Sequence, residues 1–150
     1  MKNLSKMFLA LCLLTVGGGI VANAQIESDI TIEANVPFTF VVGNTTLPAG
    51  RYEIKALGDM EGVLELRGAN GHSAIAVDTE SVQTTRDQIE NKSELVFNKV
   101  GDQYFLFQVW LAGSSSGAEL PKSRMEKRLT DGGGKAERHS VVALLKHLKP

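Results

Sequence analysis

The sequence predicts an all-β fold: an antiparallel β-sandwich or a small barrel-like sheet, with one short helix near the C-terminus. Three observations carry this expectation. Short runs rich in β-branched and aromatic residues alternate apolar with polar side chains, the period of a half-buried strand. Glycine, proline and asparagine punctuate these runs at short intervals, as hairpin turns require. The most apolar stretch outside the N-terminal leader, Ser93 to Leu111, consists of two such runs joined at Gly101-Asp102, the pattern of a β-hairpin.

That hairpin organises the rest. Its second run, Gln103 to Leu111, carries Tyr104, Phe105, Phe107 and Trp110, so much of the largest apolar surface sits on one strand. Its odd positions (Phe105, Phe107, Val109, Leu111) are wholly apolar and are expected to form the core face. The even positions (Tyr104, Leu106, Gln108, Trp110) are amphipathic and are expected to form the wetter face. Register depends on the loop. A two-residue loop pairs Phe97 with Leu106 and Leu95 with Gln108, whereas a three-residue loop ending at Gln103 pairs Phe97 with Phe107 and Leu95 with Val109. The second is preferred here because it gathers the apolar side chains on one face.

In chain order, residues 1–24 read as a secretory signal peptide. Lys2 and Lys6 precede an apolar segment from Met7 to Val16, and Ala22-Asn23-Ala24 is a small-x-small cleavage site. The apolar segment is short of the roughly 20 residues that cross a bilayer, and Gly17-Gly18-Gly19 interrupts it. Residues 25–150 are then a single β-domain. The only cysteine, Cys12, leaves with the leader, which excludes disulfide-laced scaffolds, thiol catalysis and cysteine metal sites. Two of the 16 Lys and Arg residues and none of the 17 Asp and Glu lie in residues 1–24, so the processed chain carries 14 basic against 17 acidic groups. Such a balance offers nucleic acid or anionic lipid no strong attraction.

Ile30, Ile32 and Ala34 alternate with polar residues and predict a first strand, ended by Pro37, which has no N–H for a ladder and marks an edge or a bend. Phe38, Phe40 and Val42 predict a second, closed by Gly43-Asn44. Leu47-Pro48-Ala49-Gly50 is a tight turn, and Arg51 to Leu57 leaves it with Tyr52 and Ile54 pointing inward. Val63 to Arg67 and Ser73 to Val77 flank an Asn70-Gly71 turn, with His72 expected exposed. Thr79 to Lys92 is polar and reads as a long loop or a ragged edge strand at Ser81-Val82-Gln83. Beyond the hairpin, Ala112 to Gly117 has the composition of a flexible loop. Pro121 suits a first helical turn and Met125 with Leu129 form an i, i+4 apolar pair, which predicts about two turns of helix. Ser140 to Lys146 fits a closing strand better than a helix, with the N-terminal strand or the hairpin as its partner.

Four segments in order, Val36-Pro37-Phe38-Thr39-Phe40-Val41-Val42-Gly43, Leu47-Pro48-Ala49-Gly50-Arg51-Tyr52, Gly101-Asp102-Gln103-Tyr104-Phe105-Leu106 with Trp110, and Glu119-Leu120-Pro121-Lys122-Ser123-Arg124, resemble a group of small, uncharacterised exported proteins from acidobacteria. The resemblance covers most of residues 36–129. It implies a bacterial source and export, and it brings no catalytic residues.

No nucleophile elbow, zinc-protease pair, phosphate loop or calcium loop occurs, and His139 and His147 are too loosely spaced to suggest a metal pair. The sequence therefore predicts no catalytic residue, metal site or cofactor. It points to an exported non-catalytic domain, periplasmic or extracellular, that binds a protein or carbohydrate partner. Tyr104, Gln108 and Trp110 with Ser114 and Ser115 of the adjacent loop are the candidate binding residues, because aromatic rings beside amide and hydroxyl groups suit sugar or peptide contact; ordinary core packing is the competing role for Trp110. An oligomerising envelope or surface component is the alternative function, and an enzyme the third. No nucleic-acid partner and no stable membrane insertion after cleavage are expected, and the oligomeric state is left open.

Overall fold

The computed structural model describes residues 30–57, 62–71, 74–83 and 92–146. The leader, His72, His147 and the stretch 84–91 lie outside these residues. Among the described residues, eleven strands and one helix follow in order: β1 (Thr31–Val36), β2 (Phe40–Val42), β3 (Thr45–Leu47), β4 (Gly50–Ala56), β5 (Val63–Gly68), β6 (Ala74–Asp78), β7 (Glu80–Gln83), β8 (Ser93–Val100), β9 (Gln103–Trp110), β10 (Ser116–Glu119), α1 (Arg124–Asp131) and β11 (Ala136–Lys146). The strands form one strongly curled mixed sheet, a half-barrel, so the barrel-like form is the one adopted. Its order is β3-β2-β9-β8-β11-β1-β4-β5-β6, with β10 beside β9 and β7 beside β10. Only Thr79 separates β6 from β7, so one continuous segment links the β5 edge of the sheet to the β9 edge through β10.

One pair departs from the expected antiparallel pattern: β2 runs parallel to β9, with Phe40 beside Tyr104 and Val41 beside Phe105. Pro37 explains the excursion. On one side β1 is flanked by β11 only as far as Ala34, and beyond it a residue without an N–H lets the chain leave the ladder and cross to β9. β3, which no sequence pattern indicated, follows through Gly43 at φ +58° and pairs back on β2.

The hairpin corrects the preferred register. Its loop has two residues, with Val100 opposite Gln103 and Phe97 opposite Leu106; Gly101 at φ +61° supplies the left-handed first residue such a loop needs. A bulge then intervenes. Phe97 faces Leu106 but Val96 faces Gln108, which leaves Phe107 as the extra residue, and Leu95 comes opposite Val109. The one-residue shift flips every side chain after it to the other face. Tyr104 and Leu106 therefore point into the half-barrel together with Val109, whereas Phe105 lies outside it in a smaller cluster with Val41 and Val100. The expected division of β9 into odd core and even wet positions fails before the bulge, where Tyr104 and Leu106 face inward and Phe105 outward, and holds after it, where Val109 and Leu111 face inward.

Aromatic rings fill the interior at the turn end. Phe38 stacks on Tyr104 at 3.8 Å and meets Phe97 edge-on at 5.1 Å, and Phe40 makes edge contacts with Phe97 at 5.4 Å and Tyr52 at 5.2 Å. The Tyr52 hydroxyl donates to the Pro48 carbonyl at 2.7 Å, and burial pushes its pKa above the usual phenol value.

The helix begins at Arg124, three residues after Pro121, because Ser123 caps it by accepting from the Glu126 N–H at 3.0 Å. Met125 and Leu129, the expected apolar pair, remain more than a third exposed. The residue that docks is Glu126, 2 % exposed, whose Oε1 accepts from Asn98 Nδ2 on β8 at 2.7 Å. The last strand starts four residues earlier than expected and takes both proposed partners, β8 along Ala136–Ala143 and β1 along Ala143–Lys146. Within the loop after β9, Ser116 and Gly117 already belong to β10, because both find partners on β7 and Gly117 also pairs with Trp110 of β9.

Candidate functional site

The half-barrel interior changes character along its length. At the end opposite the β8–β9 turn, β1 and β4 present Ile32 and Ile54 side by side, and Ala56 of β4 lies opposite Leu64 of β5. The facing wall is Val109 of β9 with its cross-strand partner Ala118 of β10. These side chains are aliphatic and short. They stop before meeting and leave a cavity of about 260 Å³ that Ile30, Leu111, Ser114, Ser116 and Gly117 complete. No charged side chain lines it among the described residues.

Its polar content is a pair of serines. Ser114 Oγ donates to the Ser116 carbonyl at 2.8 Å and accepts from the Ser116 N–H at 3.2 Å, and the two hydroxyls lie 3.3 Å apart. This small loop of hydrogen bonds fixes the entry of the chain into β10. A wall of aliphatic groups with one cluster of hydroxyls is the make-up of a site for a small apolar group with at most one hydrogen-bonding end.

The residues singled out from sequence fall in three places. Ser114 lines the cavity, and Ser115 is exposed in the turn beside it. Gln108 and Trp110 lie after the bulge, on the outer face with Val96 and Glu94 as their cross-strand partners. There they are linked: Trp110 Nε1 donates to Gln108 Oε1 at 3.2 Å, and Gln108 Nε2 donates to Glu119 Oε2 at 2.7 Å. Tyr104 lies before the bulge, inside, between Phe38 and the exposed His139, with the Lys99 ammonium 5.5 Å from its ring. The bulge thus separates Tyr104 from Gln108 and Trp110, which an unbroken strand would have put on one face.

Trp110 nevertheless touches the cavity wall. Its ring lies against Gly117, where an added Cβ would come within 2.7 Å of the indole, so only glycine fits there without displacing the ring. The lining residues Ile32, Ile54, Leu64, Val109 and Ala118 were legible as inward positions at best. What could have found them is the contrast between aromatic residues near the turn and Ala, Ser and Gly around residues 112–118.

A second, more polar groove of about 490 Å³ runs past Asn35, Pro48 to Tyr52 and Gly68 to Asn70. Its cation, Arg51, pairs with Glu33 at 3.4 Å, so it offers less to an anionic ligand than its composition suggests. No grouping of His, Cys, Asp or Glu able to hold a metal ion occurs among the described residues, and none of their helices is long and apolar enough to cross a membrane. No protein-family model, curated protein or solved structure matches the chain.

Proposed function

We propose that the chain is an exported, non-catalytic binding module that takes an apolar group into the open end of its half-barrel. The observation that carries this reading is the 260 Å³ cavity between the β1–β4–β5 wall and the β9–β10 wall. An open pocket lined by aliphatic side chains holds apolar surface against water, and an apolar occupant would remove that surface from it. The leader at residues 1–24 supports export, and the absence of any catalytic motif in the sequence supports binding over chemistry. The partner is then the carrier of that apolar group, in the periplasm or outside the cell.

Titration of the processed chain with N-phenylnaphthylamine, an uncharged apolar fluorophore, tests the reading. Saturable single-site binding is expected, weakened at least tenfold by Ala56→Phe, which fills the cavity from its exposed rim in a strand that accepts aromatic residues. Absence of saturable binding, or equal affinity in the variant, would overturn it.

A second reading, an oligomerising envelope component, draws on one observation. Val142 and Leu144 of β11 stand 59 % and 71 % exposed on the outer face of the sheet. Sedimentation of the processed chain discriminates: a monomer at micromolar concentration removes this reading.

A further inference from the structure

We infer that the occupant of the cavity is a neutral amphiphile, a short alkyl chain ending in an uncharged hydrogen-bonding head such as a hydroxyl, ester or amide, with the head seated at Ser116. The inference rests on the cavity being a binding site and names the chemistry it selects. Size limits the occupant first: about 260 Å³ falls just below the roughly 300–1,000 Å³ of sites for drug-sized ligands, so the occupant is a small group.

Charge limits it next. A buried carboxylate needs a cation or several N–H donors, and a buried ammonium needs a carboxylate. Among the described residues the lining provides neither. What it provides is hydroxyl. Ser114 has one proton, given to the Ser116 carbonyl, and one lone pair filled by the Ser116 N–H. Ser116 Oγ is the adaptable member: 3.3 Å from Ser114 Oγ, it can donate there and accept from a ligand, or turn and donate to one. A head that both gives and receives, or that only accepts, satisfies it without bringing charge into an aliphatic wall.

The cavity also has a built-in reporter. Gly117 belongs to its lining and lies against Trp110, the only tryptophan in the chain. Filling the space beside β10 should change the indole emission.

The test uses the processed chain and three probes of equal chain length, 1-octanol, octanoate and octylammonium, each displacing N-phenylnaphthylamine at pH 7.5 while Trp110 emission is followed. Octanol is expected to displace the dye at a concentration at least tenfold below either ion. Measured against each variant's own dye affinity, Ser116→Ala should cut that advantage at least threefold, and Ser116→Thr, which keeps a hydroxyl, should retain it. Equal displacement by all three probes would mean that the head stays in water, and preference for an ion would mean a charged partner; either overturns the inference while the binding site stands. An octanol advantage unaffected by Ser116→Ala overturns the seat of the head. Failure of the dye to bind removes the binding site itself, and the inference with it.

Discussion

The two ends of the half-barrel interior are built from the same alternating strands, yet one is packed and the other is open. Near the β8–β9 turn, Phe38, Phe40, Phe97 and Tyr104 interlock through stacked and edge contacts at 3.8–5.4 Å. At the far end, Ile32, Ile54, Leu64 and Val109 border an open pocket of about 260 Å³, with Ala56 and Ala118 where bulk would be needed to close it. The two ends differ in side-chain volume, aromatic rings at one and short aliphatic side chains at the other. One end can then carry the stability while the other remains free to bind.

The largest expected effect tests that division directly. Phe97 is fully buried and touches Phe38 and Phe40, so Phe97→Ala should cost about 3–5 kcal/mol in urea unfolding. Leu64→Ala, on a side chain that already borders a void, should cost only about 2 kcal/mol, the low end for such a truncation. Equal losses would mean that the two ends share the stability and that the open end is not spared for binding.

The packed end is also clamped from outside, where α1 sits over β8 through the Asn98–Glu126 bond. Asn98→Ala strips a carboxylate that is 2 % exposed of its amide donor, and the expected cost is about 1.5–3 kcal/mol. The reading sharpens if the double variant Asn98→Ala with Glu126→Ala recovers part of the loss, since no charge is then left unpaired. Additive losses would show that the helix is held by other contacts.

Tyr52 probes the border of the packed end. Losing its hydroxyl in Tyr52→Phe removes the bond to the Pro48 carbonyl at a cost of about 1 kcal/mol. Burial raises the Tyr52 pKa above its ordinary value near 10, so the folded chain keeps a proton that the unfolded chain releases. That contribution is complete below pH 10 and is lost as pH rises through the folded-state value. The difference in stability between the parent and Tyr52→Phe should therefore shrink above pH 10. A difference that stays constant with pH would mean that Tyr52 titrates alike in both states.

How far the sequence could be read follows from where each constraint lies. β1 and β4 were legible because Ile32, Ala34, Tyr52 and Ile54 are inward apolar residues at strict spacing, a pattern carried within one segment. β9 was misread because the bulge at Phe107 is set by two competing pairings, a turn that fixes Phe97 against Leu106 and an interior that draws Leu95 to Val109. A run of apolar residues on both faces shows no break at that point. The helix was legible as a helix, but its docking residue was not, since Glu126 is buried by an asparagine 28 residues away. For the site, Gln108 and Trp110 were placed together by their i, i+2 spacing, and Ser114 was found. The cavity itself is the joint product of five strands and could be seen only once β10, a Ser-Gly-Ala segment with no strand pattern of its own, was known to pair with β9.

The smallest effect concerns the outside of the open end. There Lys146, at the end of β11, pairs with Glu53 of β4 across β1, and the carboxylate holds the lysine pKa above its usual value. The pair spans the strands that carry Ile32 and Ile54, so it is placed to brace the cavity wall from the solvent side. Both side chains are more than a third exposed, however, and exposed pairs lose most of their attraction to water and salt. Lys146→Ala should leave the urea midpoint unchanged at 0.15 M salt, and dye affinity with it. If the variant instead loosened dye binding at that ionic strength, the open end would owe its shape to a surface ion pair, and the contrast between a packed and an open interior would no longer be a matter of side-chain volume alone.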